Sequence, residues 1–318
     1  MKHHILAALF VILTPLYAES TYFIPTLVGA SATSLSQGSG SLLTSAASLF
    51  ENPSSMDTTH TWQTAAFYTQ LLGELTYQNI AIAKNNGHWW GGVGVMRLSA
   101  QGIPLTEETT VGNSVEVVQT GNYSYLNELV KLGGGFNWKP HLALGAALTG
   151  YRTEIHTTTG QGLNGSLGAT YHHPINGFRA GLTIHNIFPF LGVSYSHGET
   201  ETLPLRVQLS AEKTWGMADL IVTATNSDTM PRPLGALGVA YRPSWIGELI
   251  VFRASYREIE VNDTFETAWV LGVDLKLAGL GVNYAWESSD APDTQGHHYV
   301  SFTLALGQRH GGNYGFVF

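Results

Sequence analysis

Three pairs of adjacent histidines are the first residues of this 318-residue chain whose type suggests chemistry: His3-His4, His172-His173 and His297-His298. Neighbouring residues of a strand point to opposite faces, so the two imidazoles of such a pair cannot bind one ion. The helical spacing of zinc-binding histidines is absent from the sequence, as is the Gly-x-Ser-x-Gly motif of a nucleophile elbow. The sequence therefore predicts no catalytic residue, no metal site and no cofactor, and we expect the protein not to be an enzyme.

A second group of candidates consists of cationic and imidazole side chains that alternate with apolar residues. In 205–212, Leu, Val, Leu and Ala share one face of a strand, while Arg206, Gln208 and Glu212 share the other. A cation on an enclosed inner face could bind the carboxylate head group of a ligand. The alternative is that these groups pair with one another and only fill the interior. The candidates are Arg179, His185, Arg206, Arg253 and Lys276.

The composition restricts the class of protein that carries these residues. Only 12% of the residues are charged, 44% are hydrophobic and 36 are glycine, whereas a soluble domain has about 25% charged residues. A disordered chain would combine low hydrophobicity with high charge, and the net charge of -8 argues against a nucleic-acid-binding surface. Beyond residue 18 no apolar run approaches the roughly 20 residues of a membrane helix. A closed β-barrel is the other structure that satisfies every backbone group in lipid.

Alternating segments of about ten residues, separated by turn residues, support the barrel. We predict an all-β, transmembrane antiparallel barrel of about fourteen strands, an even number as in single-chain bacterial barrels. The predicted strands are 61–72, 74–84, 88–99, 122–138, 141–154, 162–172, 178–187, 203–214, 217–226, 233–242, 248–257, 267–277, 279–287 and 297–306. The connections after even-numbered strands are short, and most of those after odd-numbered strands are longer, which is typical of short periplasmic turns and long outer loops.

The tryptophans fall near the predicted strand ends. Trp269 and Trp286 are at the long-loop end, and the others are at the short-turn end: Trp62, Trp89, Trp90, Trp138, Trp215 and Trp245. Girdles of aromatic residues at the two membrane interfaces explain this distribution.

The segments outside the barrel, 61–306, have different compositions. Residues 1–18 combine Lys2, a short apolar core and a terminal Ala18, and predict a signal peptide cleaved after Ala18; an N-terminal anchor is the alternative. Residues 19–60 have no strand pattern but contain apolar side chains, which favours a plug inserted in the barrel over a disordered periplasmic tail. Residues 307–318 form a tail, whose terminal Phe318 could be a barrel targeting signal unless that signal lies in 299–306.

Several short motifs resemble the FadL-like outer-membrane proteins, and most closely the PorV/PorQ family. Those proteins begin with a Gly-Ala segment, a glycine-rich stretch and a "WNPAG"-type motif. The corresponding residues here are Gly29-Ala30, the glycines Gly38 and Gly40, and the segment 49–56, in which Asn52-Pro53 matches and Ser54-Ser55 replaces Ala-Gly. In addition, 99–108 resembles the family's "G-x-I-P-x-T" loop, and 298–304 resembles its closing strand.

The resemblance implies a fourteen-stranded barrel with an N-terminal hatch in the outer membrane of a Gram-negative (diderm) bacterium. The hatch candidates are Gly29, Gly38, Gly40, Asn52 and Pro53. FadL-like relatives carry long-chain fatty acids and other hydrophobic compounds, whereas PorV/PorQ relatives are scaffolds or shuttles for secreted proteins. The expected partners are therefore outer-membrane lipid and either a hydrophobic small molecule or secretion-system proteins, with no nucleic acid.

The longest predicted outer loop, 100–121, is apolar enough to capture a hydrophobic ligand or a partner. Its candidate capture residues are Ile103, Pro104 and Leu105. The alternative is that these side chains pack against neighbouring loops.

Overall fold

The computed structural model describes residues 28–56, 59–71, 74–111, 114–173, 175–246, 249–261, 264–289 and 296–308. The predicted signal peptide, 1–18, lies outside these residues, as do 19–27 and most of the predicted tail. In the described part of the chain, two short helices, α1 (Ala32–Ser36) and α2 (Ser48–Glu51), precede the strands. No helix of this part is long and apolar enough to cross a membrane.

Sixteen strands of the described residues form one sheet. They are β1 (His60–Leu71), β2 (Leu75–Asn85), β3 (Trp89–Val111), β4 (Ser114–Lys139), β5 (Leu142–Ile155), β6 (Thr158–His172), β7 (Phe178–His185), β8 (Gly192–Tyr195), β9 (Thr200–Thr202), β10 (Arg206–Trp215), β11 (Ala218–Ser227), β12 (Leu234–Tyr241), β13 (Ile250–Val261), β14 (Thr264–Leu277), β15 (Leu280–Ser289) and β16 (His297–Gln308). A 3-10 turn, Ser244–Ile246, connects β12 to β13.

Antiparallel pairing of chain neighbours closes the sheet into a ring. β1 pairs with β2 and β16, β5 pairs with β4 and β6, and β10 pairs with β7 and β11. The two short strands β8 and β9 form a hairpin that extends from β6. The remaining strands form a closed fourteen-strand antiparallel barrel. The predicted all-β fold with about fourteen strands is therefore confirmed.

The two faces of the barrel wall differ in polarity, as the alternating pattern predicted. Outward side chains form an exposed apolar belt that includes Ile80, Leu132, Val222, Phe252 and Leu271. Inward side chains are buried and mostly small or polar. A wall with an apolar outside and a polar inside is typical of a barrel that spans a membrane.

One of the predicted girdle tryptophans is on the wrong face. Trp90 is only 4% exposed, points inward, and donates a hydrogen bond from its indole Nε1 to the carbonyl oxygen of Pro53, at 2.8 Å. Trp89, its neighbour in β3, is 57% exposed on the outward face. The prediction for Trp90 was wrong because adjacent strand residues alternate between faces.

Residues 100–121, which were predicted to be an outer loop, are mostly strand. The loop prediction was therefore wrong. β3 and β4 pair as far as Val111 and Ser114, so both continue well beyond their other neighbours as a two-stranded ribbon. Ile103, Pro104 and Leu105 thus lie in β3 and not in a loop. The register shifts on either side of these residues. Such bulges accommodate a proline, which lacks an amide donor.

The connection between β7 and β10 is partly strand. After His185 the chain leaves the sheet, and it resumes pairing with β6 at Val193, opposite Gly162. The Asn164 side chain holds the intervening residues: its Nδ2 donates to the carbonyls of Phe188 and Leu191, both at 3.1 Å. The predicted loop 188–202 therefore contains the β8–β9 hairpin, which is attached to β6.

Candidate functional site

Residues 28–56, here called the lumen segment, lie inside the barrel. No residue of this segment is exposed. Its backbone contacts widely separated strands: Ala32 N donates to Ser301 Oγ of β16 at 3.3 Å, and Phe50 O accepts from Lys131 Nζ of β4 at 3.0 Å. Leu35 O accepts from Ser255 Oγ of β13 at 2.8 Å. The wall side chains therefore satisfy backbone groups that would otherwise be buried without partners.

Local signals in the sequence explain the first turn of the lumen segment. Ser31 and Ser34 cap α1 reciprocally, each side chain accepting from the other's backbone amide. After the helix, Gly38 adopts a φ of +68°, a left-handed conformation that glycine adopts without strain. The chain then reverses and returns across the lumen towards α2.

Glycines of the wall let the lumen segment approach the sheet. A Cβ at Gly238 would come within 3.0 Å of backbone atoms of Gln37, and a Cβ at Gly145 would do so with Pro53. A Cβ at Gly168 would clash with the Asn52 side chain in the same way. Similar clashes would arise at Gly94, Gly181 and Gly272. The wall and the segment therefore fit each other at six strands around the barrel: β3, β5, β6, β7, β12 and β14.

Two of the predicted hatch residues, Asn52 and Pro53, form a fixed bend. Asn52 is fully buried, and its Nδ2 donates to Ser41 O at 2.8 Å and to Thr170 Oγ1 of β6 at 3.3 Å. Its Oδ1 accepts from the amide and the hydroxyl of Ser54, at 3.0 and 2.7 Å. Because the Pro53 carbonyl also accepts from Trp90, the bend is held by the segment itself and by two strands of the wall.

A buried carboxylate joins the two ends of the lumen segment. Glu51 Oε1 accepts from the amide of Ala30 at 2.9 Å. Gly40 makes room for this carboxyl group, since a Cβ at that position would lie within 3.0 Å of it. Burial raises the pKa of the Glu51 carboxyl, whereas the Arg206 guanidinium, the Ala30 amide and the Lys131 ammonium act to lower it. Glu51 therefore links the segment to itself and, electrostatically, to β4 and β10.

Sequence reasoning missed Glu51 and Lys131, although a signal for each was present. Glu51 is the only charged residue between positions 20 and 56. Lys131 is a single cation in the middle of an otherwise uncharged part of β4, and it is only 2% exposed. An isolated charge in an apolar or small-residue segment indicates a buried interaction, because a charge is rarely buried without a partner.

The structure separates the five predicted lumen residues into different environments. Arg179 pairs with Glu212, with N–O distances of 3.0 and 2.7 Å. Arg253 Nε donates to Asp274 at 2.6 Å. These two cations are therefore neutralised by the wall, which is the interior-filling alternative.

The remaining three candidates, His185, Lys276 and Arg206, have other surroundings. His185 is buried, and its Nδ1 lies 3.2 Å from Ser166 Oγ. Lys276 is exposed near the end of β14, and its place in a lumen site stays a prediction. Arg206 is 8% exposed. Unlike Arg179 and Arg253, it forms no ion pair with any of the described residues.

Arg206 is the one predicted lumen residue that lines the cavity above the lumen segment. This cavity has a volume of about 260 Å³ and opens at the long-loop end of the barrel. Glu51 and Gln208 share its floor with Arg206, and Leu234, Ala236 and Ile259 contribute apolar walls. Arg257 and Glu258 also line it, but each is ion-paired, with Glu287 and Arg232 respectively. Arg206 is therefore the cation of this cavity without such an ion pair among the described residues, and it lies beside an apolar surface.

The predicted capture residues do not line this cavity. Ile103 and Leu105 are half-buried in β3, and Pro104 is exposed. Pro104 lines a different cleft, on the outside of the barrel. The structure thus does not bring the capture residues together with Arg206.

Comparison with solved structures finds the same architecture. The Pseudomonas putida toluene transporter TodX matches with a TM-score of 0.57 and 12% identity, over 92% of this chain and 98% of that chain. The fold is that of a FadL-like barrel. The Ralstonia pickettii toluene transporter TbuX matches with a TM-score of 0.60 and 11% identity, over 89% of this chain and 100% of that chain.

Sequence comparison adds nothing more specific. No family model matches the chain, and no curated protein does. At 11% and 12% identity the property shared with TbuX and TodX is the fold. The narrower similarity to PorV/PorQ stays a prediction.

Proposed function

We propose that this protein is an outer-membrane channel for hydrophobic small molecules, in which the lumen segment acts as the hatch. One observation carries the proposal: the segment that precedes β1 fills a closed barrel and is held there mainly by hydrogen bonds and close fit. No disulfide fastens the segment to the wall, since the chain has no cysteine. TodX and TbuX are toluene transporters of the same fold, which supports transport of hydrophobic molecules.

The cavity at the long-loop end suggests the chemical class of the ligand. Arg206 supplies a cation that the wall does not neutralise by an ion pair, and apolar residues lie beside it. A long-chain fatty acid has the matching carboxylate and hydrocarbon chain. In this mechanism the ligand enters the cavity from outside, and movement of the hatch at the Asn52-Pro53 bend opens a path towards the periplasm.

Replacing Asn52 tests the hatch mechanism. Asn52→Ala removes hydrogen bonds to Ser41, Ser54 and Thr170, and buried hydrogen bonds contribute about 1 kcal/mol each to stability. We expect uptake of a labelled fatty acid by whole cells to change at least severalfold, because the bend loosens while the barrel still assembles. Asn176→Ala is the matched control, since Asn176 caps an exposed short turn. Unchanged uptake in an Asn52→Ala protein that assembles normally would refute the mechanism.

The PorV/PorQ-type scaffold is the second candidate, and the β3–β4 ribbon favours it. The ribbon extends beyond the pairing limits of β2, at Ser99, and of β5, at Tyr125. Both of its outer edges are thus unpaired there, and an unpaired edge can accept a strand of another protein.

Cross-linking in intact membranes separates the two functions. A scaffold should yield stoichiometric secretion-system partners, and shortening the ribbon by deletion of 103–120 should abolish their recovery without affecting fatty-acid uptake. A channel without partners should yield no such cross-link from either protein. The full-length protein with an intact ribbon serves as the reference in both assays.

A further inference from the structure

The outward face of the barrel changes from apolar to polar towards the long-loop ends of five neighbouring strands. The polar row crosses five neighbouring strands, each residue paired with the next: Gln78, Arg97, Glu128, Arg152 and Gln161. Two residues closer to the short turns, the paired positions are Ile80, Val95, Val130, Gly150 and Leu163. Hydrocarbon favours the apolar row and lipid head groups favour the polar row, so the polar row lies nearer the head-group region.

A cleft on this outer surface lies between β2 and the base of the ribbon. It has a volume of about 640 Å³. Its lining is almost entirely polar: Glu74, Thr76, Gln78, Arg97, Ser99, Gln101, Gly102 and Pro104. The bulge after Ala100, where Gly102 has a φ of +72°, brings Pro104 to the same cleft as Glu74 and Thr76 of the neighbouring strand. The cleft therefore exists because the ribbon departs from the regular sheet.

Arg97 has unused hydrogen-bonding capacity in this cleft. Its Nε is buried and has no hydrogen-bond partner among the described residues. Glu128 is opposite Arg97 in the register but does not form an ion pair with it, whereas Arg152 in the same row pairs with Glu154. No described residue forms a hydrogen bond or ion pair with the guanidinium of Arg97, so its terminal nitrogens can bind an anion in the cleft.

We propose that this cleft binds the phosphate group of a membrane lipid head group, with Arg97 as the principal ligand-binding residue. Guanidinium binds phosphate through charge-assisted, often bidentate hydrogen bonds. The hydroxyls of Thr76 and Ser99 and the amides of Gln78 and Gln101 provide further donors at the cleft wall. Glu74, the acidic member, suits the amine or the bound divalent cation that accompanies such head groups. This site lies on the outside of the wall and does not depend on transport through the lumen.

Native mass spectrometry of the purified full-length protein in detergent tests the proposal. The probes are a phosphorylated lipid A-type glycolipid, phosphatidylglycerol, and the same glycolipid without its phosphates. We expect adducts with at least one phosphate-bearing lipid and few with the dephosphorylated glycolipid. Preferential binding of the phosphorylated glycolipid would assign the head group to that source, and preferential binding of phosphatidylglycerol would assign it to phospholipid.

Two arginine variants make the test specific. Arg97→Gln should weaken binding of the phosphate-bearing lipid about tenfold or more, the effect of losing one charge-assisted hydrogen bond. Arg152→Gln is the matched control from the same row, and we expect it to stay within about twofold of the parent, because Arg152 is already paired with Glu154. Equal binding by Arg97→Gln and the parent, or equal binding of the dephosphorylated glycolipid, would overturn the proposal. Fatty-acid uptake should be unchanged in Arg97→Gln. A negative result for lipid binding is therefore distinguishable from failure of the channel hypothesis.

Discussion

Replacing Gly238 by alanine should displace the hatch from its closed position. The added methyl group would meet the backbone carbonyl of Gln37, which cannot rotate away as a side chain could. Gln37 is also held by its own side chain, which donates to Ser39 O at 2.6 Å and accepts from Arg253 at 3.1 Å. Overpacking of this kind costs about 1–3 kcal/mol, which corresponds to a roughly five- to 150-fold shift towards the displaced hatch. Ion conductance of the protein in planar bilayers measures this shift directly.

Gly150→Ala is the matched control for this experiment. The nearest atom to a Cβ at Gly150 is Val130 O, at 4.0 Å, so the same chemical change meets no obstacle. We expect Gly150→Ala to conduct like the parent protein and Gly238→Ala to conduct more. Equal conductance of the two variants would show that close fit to the wall does not hold the hatch.

Replacing Glu51 by leucine should loosen the lumen segment at α2. The change removes the acceptor for the Ala30 amide and the negative charge beside Arg206 and Lys131. Leaving the buried Ala30 amide without an acceptor costs about 1–3 kcal/mol. We therefore expect proteolysis within 28–56 to accelerate at least tenfold, while the barrel itself resists the protease.

Glu51→Gln separates the hydrogen bond from the charge. The amide oxygen of glutamine can still accept from Ala30, so this variant should be cleaved more slowly than Glu51→Leu. A Glu51→Leu protein as resistant as the parent would rule out a role for this carboxylate in closing the hatch.

The closed hatch should also respond to pH through Glu51. Burial raises the pKa of this carboxyl, so its neutral form is favoured in the closed position relative to water. Stability of the closed position should therefore fall as the pH rises from the ordinary carboxyl pKa through the raised value. Arg206, Lys131, Tyr77 and His185 face the same region, so the Glu51-dependent part is the difference between the parent protein and Glu51→Gln, measured by proteolysis across the pH range.

The strands and their two faces were predictable, because each follows from local alternation. All fourteen wall strands correspond to predicted segments, and the apolar positions face outward as the pattern requires. The ends of β3 and β4 were not predictable in the same way. Residues 100–121 combine Gly102 and Pro104 with polar side chains, which resemble a loop locally, and only pairing between the two strands makes them a ribbon.

The candidate site was predicted less completely than the wall. Arg206 was selected with Arg179 and Arg253 because all three share the inward face, and nothing local distinguishes them. Arg179 is neutralised because the register of β7 and β10 sets it opposite Glu212. Arg206 stays available because no acidic residue of the wall forms an ion pair with it among the described residues.

The sequence by itself determined that this chain forms a barrel with an apolar outside and a polar inside. A period of two is a property of neighbouring residues, and a closed barrel is the arrangement of such strands that lipid permits. Only the tertiary structure decided which glycines contact the lumen segment, which cations are paired and where Glu51 lies. Those contacts join residues far apart in the chain, such as Gln37 and Gly238, and depend on the strand register and on the path of the lumen segment, which no local pattern specifies.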